Sequence, residues 1–139
     1  MTDNKITCGY LWKKWEKRDP NCYQVIQAKE KIKNYNKNDW QEMIADAKRV
    51  TDIISLLIEE NIDINDPRSK EAFQQLLNHI EKYFFEPNQD YIDRLENAML
   101  LDKDYEIFFN KFKDGMSTKI IELIKVYSNN KWKPIDNNI

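Results

Sequence analysis

The sequence predicts a single all-α domain, and three observations lead to this fold class. Apolar residues recur at steps of three and four along most of the chain, which is the spacing of one face of an α-helix. The chain contains only two glycines and four prolines, too few for the many reversals of a β-sandwich. Its 139 residues, 41% of them hydrophobic, suit one domain with one core.

The N-terminal segment, residues 1–35, is predicted to form a helical arm or lid. Two short helical patterns lie on either side of Pro20, which interrupts a helix. The first pattern interleaves Trp12 and Trp15 with lysines, as expected of a helix that docks tryptophans on a core and leaves its cations in water. Stacking on bases and binding at a membrane surface are the alternatives. The patterns cover Tyr10–Lys17 and Tyr23–Ile32.

The longest helix is predicted from Lys37 to Glu60. Asn36 can cap it by accepting a hydrogen bond from the backbone N–H of Asp39, whose negative charge also suits the first helical turn. A single apolar stripe follows, so this helix is expected to bury one face. The stripe consists of Trp40, Met43, Ile44, Ala47, Val50, Ile54, Leu57 and Ile58.

Four more helices are predicted between Asp66 and Tyr127, each from its own start signal. Asp66 followed by Pro67 opens the first, and it runs to about Phe85, since Pro87 follows. The other three begin after Asn88, at Asp102 and at Ser117, while Gly115 is predicted to end the helix before Ser117. Their faces hold Tyr91, Ile92, Leu95, Ala98 and Met99, then Tyr105, Phe108, Phe109 and Phe112, then Ile120, Leu123, Ile124 and Tyr127. Residues 131–139 are predicted to be a tail.

Charge and hydropathy exclude several classes of protein. A net charge of −2 argues against a general nucleic-acid binder, because binding phosphates needs a clustered excess of Lys and Arg. No apolar run is long enough to cross a bilayer, and the polar start lacks the apolar core of a signal peptide. Cys8 and Cys22 have no metal-ligand spacing and are expected to be free thiols. The chain is therefore expected in the cytoplasm.

Neither a metal site nor a catalytic site is predicted. The segment that starts at Asp63 has the oxygen ligands of a calcium loop, but Arg68 and Gln74 stand where glycine and an acid are required. His79 is the only histidine, so no histidine cluster can hold zinc. A cysteine paired with His79 would also need an orienting group and oxyanion donors, which the sequence does not supply. We expect no cofactor and no enzymatic activity.

Aromatic side chains are concentrated in four consecutive predicted helices. Several are adjacent in sequence, so they cannot all point to the same face of a helix. They form either a core with ordinary partial exposure or, in part, an apolar cleft between helices that binds a small molecule. The residues are Tyr83, Phe84, Phe85, Tyr91, Tyr105, Phe108, Phe109, Phe112 and Tyr127.

A series of landmarks, in a fixed order, runs from about Asn34 to Asn130. An Asp-Trp pair opens a long helix, and the loop after this helix ends in Asp-Pro. The next helix contains the histidine. A later helix starts with Asp followed by an aromatic residue, and the final landmarks are a glycine and a helix end that contains a tyrosine. Their order and spacing resemble the TipAS-type antibiotic-recognition domain, the effector half of certain MerR-type drug-responsive transcription activators. The landmarks are Tyr35–Trp40, Asp66-Pro67, Gln75–Phe84, Asp104-Tyr105, Phe109, Gly115 and Ile124–Tyr127.

This resemblance implies a globin-like arrangement of about five antiparallel helices, here residues 36–130, with a deep apolar cleft for bulky antibiotics such as thiopeptides. It also implies a role in drug sensing, drug sequestration or transcription regulation. No helix-turn-helix and no long coiled coil precede the domain in this sequence, so we expect no direct DNA binding by this chain alone. Some members trap a ligand through a cysteine, but neither Cys8 nor Cys22 lies in a matching motif.

The sequence therefore predicts a non-catalytic binding domain for an apolar, antibiotic-like small molecule. The alternative is a helical protein–protein interaction module that uses the same apolar groove for a partner helix. Five residues are the candidates for lining the cleft. Two of them, Trp40 and Tyr105, lie at helix starts, where either side chain could instead serve only to pack the helix against the core. The candidates are Trp40, His79, Tyr83, Tyr105 and Phe109.

Overall fold

The computed structural model describes residues 6–128, and over this range the chain forms seven helices and no strand. This confirms the predicted all-α fold class, with two helices in the N-terminal segment and five after it. The predicted tail, residues 131–139, lies outside the described residues. The helices are α1 (Cys8–Arg18), α2 (Tyr23–Ile32), α3 (Lys37–Glu59), α4 (Pro67–Tyr83), α5 (Gln89–Leu101), α6 (Lys103–Asn110) and α7 (Met116–Tyr127).

Helices α3, α4 and α7 pack against one another, and α5 and α6 pack against each other and against α7. The apolar stripes meet in one core because each helix turns most of its apolar face inward. Of the stripe predicted for α3, Trp40 and Ile44 are 38% and 61% exposed, so the start of this stripe lies outside the core. None of the helices in residues 6–128 combines the length and the apolar composition needed to cross a membrane. The most deeply buried large apolar side chains are those of Ile54, Leu77, Ile92, Met116, Ile120, Leu123 and Ile124.

Three of the predicted helix caps are confirmed. The Asn36 side chain accepts a hydrogen bond from the backbone N–H of Asp39 at 2.8 Å, and the backbone N–H of Asn36 donates to the Asp39 carboxylate at 3.0 Å. Asp66 caps α4 at 2.8 Å with Pro67 in the first helical position, and Asp102 caps α6 at 3.0 Å. These contacts satisfy backbone donors that have no partner inside the helix, which fixes where the helices begin.

The predicted roles of Gly115 and Ser117 are wrong. Helix α6 already ends at Asn110, and Gly115, with a φ of 88°, directly precedes α7 instead of ending α6. Ser117 lies inside the first turn of α7, where its backbone N–H donates to the Asn110 side chain at 2.9 Å. Asn110 thus takes the capping role predicted for Ser117. Glycine suits position 115 because left-handed backbone angles strain other residues.

Helix α4 ends at Tyr83, slightly before the predicted end near Phe85. The backbone N–H groups of Phe84 and Phe85 both donate to the carbonyl of Ile80, at 2.9 and 3.1 Å, so the chain tightens and leaves the helical path. Pro87, two residues later, prevents the helix from resuming. As a result, Phe84 and Phe85 lie beyond the helix, where the 3.6-residue period no longer determines the direction of their side chains.

The N-terminal segment folds back onto the rest of the chain, with α1 against α6 and α2 against α4. Lys14 bridges Asp102 at 2.6 Å and Asp104 at 2.9 Å, and these hydrogen bonds raise the pKa of Lys14. Lys111 donates to the carbonyl of Ile6 at 2.7 Å. Polar contacts at partly exposed sites therefore hold α1 on α6, and each such ion pair contributes little stability.

Candidate functional site

A cavity of about 170 Å³, the inner cavity, lies between α1 and the helices α4, α5 and α6. Its wall is almost entirely apolar and contains eight aromatic side chains. A cavity of roughly 150 Å³ is enough to bind benzene in another protein, so this one has room for about one ring. The wall consists of Cys8, Leu11, Trp12, Trp15, Ile80, Phe84, Phe85, Tyr91, Leu95, Tyr105, Phe108 and Phe109.

Helix α1 forms one side of the inner cavity through a single face. The residues Cys8, Leu11, Trp12 and Trp15 recur at steps of three and four, so their side chains lie on the same side of the helix. Thr7 fixes the start of α1 by accepting a hydrogen bond from a backbone N–H at 3.1 Å. Leu11 and Trp15 are buried and Trp12 is half-buried, so α1 acts as a wall and does not project into solvent.

Aromatic rings pack against one another around the inner cavity. The ring of Tyr91 lies 4.8 Å from that of Phe85, edge to face, and 5.9 Å from that of Trp15. The rings of Phe108 and Phe109 meet edge to face at 5.1 Å. Edge-to-face pairs direct positive ring edges at negative ring faces and leave other faces free, so the cavity offers aromatic surfaces on which a ligand ring can pack.

A second, larger cavity of about 580 Å³, the outer cavity, adjoins the inner one. It lies along one face of α3 and is closed at its sides by residues of α1, α4 and α6. Cys8, Phe84 and Phe108 line both cavities, so these three side chains form the partition between them. Its other lining residues are Met43, Ile44, Ala47, Lys48, Thr51, Asp52, Ser55, His79, Lys111 and Phe112.

The five residues predicted for the cleft fall in different places. Tyr105 and Phe109 both line the inner cavity, and His79 lines the outer one. Trp40 and Tyr83 line neither of these cavities. Trp40 is 38% exposed and packs edge to face against another aromatic ring at 5.3 Å, while buried Tyr83 lies 5.1 Å from the His79 ring. A binding role for any of the five stays a prediction.

His79 is held in place by an acidic neighbour. Its Nδ1 lies 2.8 Å from the carboxylate of Asp46, which also accepts a hydrogen bond from Arg49 at 2.9 Å. Burial by itself would raise the pKa of Asp46, but the hydrogen bonds from His79 and Arg49 outweigh it and lower that pKa. The ionised carboxylate therefore orients the imidazole at the edge of the outer cavity.

Cys8 is placed differently from a reactive cysteine. The residue as a whole is exposed, yet it lines both cavities, and burial raises the pKa of its thiol. A higher pKa disfavours the thiolate, which is the nucleophilic form. The second thiol, Cys22, precedes α2 and lines neither of the two cavities.

The five predicted site residues include none from α1, although residues 1–35 were predicted to form an arm or lid. The cavity-lining face of α1 was readable as a stripe at helical spacing, although the stripe does not reveal which other helices it faces. Phe84 and Phe108 were recognised as part of the aromatic cluster but were not selected as site residues. Their position as the partition depends on α4 ending at Tyr83 and on the packing of α1 on α6, which local patterns do not encode.

Comparison with known families gives a match that covers most of the chain. The family model of the TipAS antibiotic-recognition domain matches residues 11–127, a stretch that begins within α1 and includes nearly all of the inner cavity wall. Searches of curated proteins and of solved structures found no match. On the strength of the family match, and in agreement with the resemblance seen in the sequence, the chain belongs to the TipAS antibiotic-recognition domain family.

Proposed function

We propose that the chain is a non-catalytic binding domain for bulky, apolar, ring-rich small molecules, with thiopeptide-like antibiotics as the expected class. The observation that carries this proposal is the inner cavity, because an apolar, ring-lined space between helices is a typical ligand site. Membership of the TipAS family supports antibiotics as the ligands. The proposed roles are drug sensing, drug sequestration or transcription regulation in the cytoplasm, without direct DNA binding by this chain alone.

The size of the inner cavity implies how a bulky ligand would enter. A space of about 170 Å³ takes one ring, whereas a thiopeptide carries many, so the ligand would also occupy the outer cavity. Phe84 and Phe108 would have to turn aside for this. Helix α1 would have to shift as well. The partly exposed ion pair of Lys14 with Asp102 contributes little against such a shift, whereas the buried side chains of Leu11 and Trp15 would have to repack around the ligand.

Non-catalytic action is supported by the chemistry of the cavity walls. The raised pKa of the Cys8 thiol disfavours a nucleophilic role, and His79 at the rim of the outer cavity is engaged by Asp46. A carboxylate that orients an imidazole also occurs in catalytic sites, but burial disfavours the thiolate of Cys8, which lines the outer cavity together with His79. Binding by shape and apolar contact requires neither of them to react.

A titration of intrinsic fluorescence tests this function. We expect a thiopeptide antibiotic to change the tryptophan emission saturably, because Trp12 and Trp15 both line the inner cavity. Trypsin cleavage at Lys13, Lys17 and Arg18 should slow in the same samples, since a helix held on its ligand is a poor protease substrate. A Trp40→Phe variant is the matched control and should keep the response.

The absence of any saturable response across a panel of thiopeptides and other ring-rich antibiotics would contradict this function. The alternative would then be favoured, a protein–protein interaction module in which the same groove accepts a partner helix. One observation speaks for that alternative: Ile44 and Phe112, which line the outer cavity, are 61% and 45% exposed. Light scattering and co-purification with a single protein would then be the relevant measurements.

A further inference from the structure

Helix α2 contacts the end of α4 through four polar side chains that recur every four residues. Residues four apart on a helix lie on the same side of it, so these side chains face α4 together. The first three belong to α2, and the fourth lies three residues beyond its end. We call this set the α2 ladder, and it consists of Tyr23, Gln27, Lys31 and Tyr35.

Two members of the α2 ladder bond to the last backbone carbonyls of α4. Lys31 Nζ donates to the carbonyl of Glu81 at 3.0 Å and to that of Lys82 at 3.3 Å. The Tyr35 hydroxyl donates to the carbonyl of Tyr83 at 2.5 Å. The last carbonyls of a helix have no partner within it, and a cation also suits the negative end of the helix dipole. The end of α4 is therefore held by side chains from outside the helix.

The other two members hold the turn that follows α4. The Tyr23 hydroxyl donates to the backbone carbonyl of Glu86, and the backbone N–H of Glu86 donates to the Gln27 side chain at 3.1 Å. Phe84 and Phe85 lie between the two groups of contacts. The α2 ladder thus fixes the backbone both before and after these two residues.

The stretch that is held in this way contains the partition between the two cavities. Phe84 lines both cavities, and Phe85 lines the inner one. The backbone angles of Phe84, a φ of −129° and a ψ of −63°, depart from those of a helix, so α4 alone does not determine where its ring points. No member of the α2 ladder lines either of the two cavities. The ladder therefore acts on the partition from behind, through the backbone.

We propose, on the basis of the binding function above, that the α2 ladder selects ligands by size. With the ladder intact, Phe84 keeps the inner cavity at the size of about one ring. A larger ligand binds only when the end of α4 moves, which costs hydrogen bonds of Lys31 and Tyr35. These two side chains are positioning residues that lower the affinity for bulky ligands, because affinity falls with the fraction of protein in the open state.

A small and a large neutral ligand test this selection. Toluene has one ring and fits the inner cavity, whereas the dye N-phenylnaphthylamine has three rings and needs both cavities. Tyr35→Phe should raise the affinity for the dye about three- to tenfold, because one neutral hydrogen bond no longer opposes opening. The affinity for toluene should stay within about twofold, since the closed state already predominates. Dye fluorescence and an NMR titration measure the two affinities.

Tyr127→Phe is the matched control. Tyr127 also donates its hydroxyl to a backbone carbonyl, that of Ile64 at 2.6 Å, but this carbonyl precedes α4 and Tyr127 lines neither of the two cavities. The variant loses the same kind of hydrogen bond and should keep the parent's affinity for both probes. A dye affinity that rises as much in Tyr127→Phe as in Tyr35→Phe would contradict the proposal.

Substitutions of Lys31 provide a rescue test. Lys31→Met keeps the apolar stem but removes the donor, so it should raise the dye affinity as Tyr35→Phe does. Lys31→Arg keeps a charged donor and should restore the parent's affinity. Lys33→Met is the control near the same end of α2, because Lys33 pairs only with Glu30 of its own helix, at 2.8 Å, and this change should have no effect.

Hydrogen exchange gives a readout that needs no ligand. The backbone N–H groups of Phe84 and Phe85 both donate to the carbonyl of Ile80, and they should exchange about three- to tenfold faster in Tyr35→Phe than in the parent protein. The N–H of Leu77, farther back in α4, should keep its rate. An equal acceleration at Leu77, or none at Phe84 and Phe85, would contradict a positioning role.

The two ligands separate this inference from the binding function. If the dye binds the parent and Tyr35→Phe equally well, or if Tyr35→Phe weakens both probes, size selection by the ladder is wrong and the binding function stands. If toluene binds but the dye binds neither protein, size selection is again wrong and the inner cavity remains a ligand site. If neither probe binds the parent or Tyr35→Phe, the binding function fails together with this inference.

Discussion

Ile54→Ala is expected to lower the free energy of unfolding by about 2–5 kcal/mol, the usual effect of truncating a fully buried isoleucine. Ile54 lies in the middle of α3, has no exposed surface, and belongs to the helix that packs against both α4 and α7. Truncation removes buried apolar contacts and leaves a cavity that the surrounding helices cannot close fully. Chemical denaturation followed by circular dichroism measures the change.

Ile44→Ala is the matched control on the same helix. Ile44 is 61% exposed, so its truncation should change the free energy of unfolding by no more than about 0.5 kcal/mol. Equal denaturation midpoints for Ile54→Ala and the parent protein would show that this face of α3 is not part of the core. The packing of α3 on α4 and α7 would then have to be revised.

Phe109→Ala is expected to weaken thiopeptide binding by more than about tenfold, because the ring contributes both aromatic packing and buried apolar area. Phe109 lines the inner cavity and is only half-buried in the free protein, so the variant should still fold. The affinity follows from the fluorescence titration, and the circular dichroism spectrum of the variant must first match that of the parent.

Trp40→Ala is the informative comparison for Phe109→Ala. Both residues are aromatic and both were predicted from the sequence to line the cleft, but Trp40 lines neither cavity. The affinity of Trp40→Ala should therefore stay within about twofold of the parent, as for surface changes outside an interface. The opposite result would be a folded Phe109→Ala variant that binds as tightly as the parent and a Trp40→Ala variant that binds more weakly. That result would place the ligand site at the start of α3.

The helices could be predicted from the sequence because their signals are local. Asn36, Asp66 and Asp102 cap the helices that they were predicted to cap, since a capping side chain bonds to a backbone group only two or three residues away. Gly115 was misassigned because a left-handed residue can follow one helix or precede the next. The choice depends on Asn110, which caps α7 from outside that helix.

The site was only partly predictable because its walls come from distant parts of the chain. Tyr105 and Phe109 were identified as cleft candidates, yet the stripe of α1 that faces them could not be assigned to the same site. The contact that brings them together, Lys14 with Asp104, spans 90 residues. Of the adjacent aromatic residues Tyr83 and Phe84, Phe84 lines both cavities and Tyr83 lines neither, and α4 ends between them.

The most direct test of the central claim is to map thiopeptide binding on the ¹⁵N-labelled chain by NMR. If the ligand binds in the inner cavity, the largest chemical-shift changes should fall in α1 and α6 and should include the indole N–H resonances of Trp12 and Trp15. The indole N–H resonance of Trp40 should stay in place. Shifts confined to the start of α3 around Trp40, with α1 and α6 unaffected, would contradict the assignment of the ligand to this cavity.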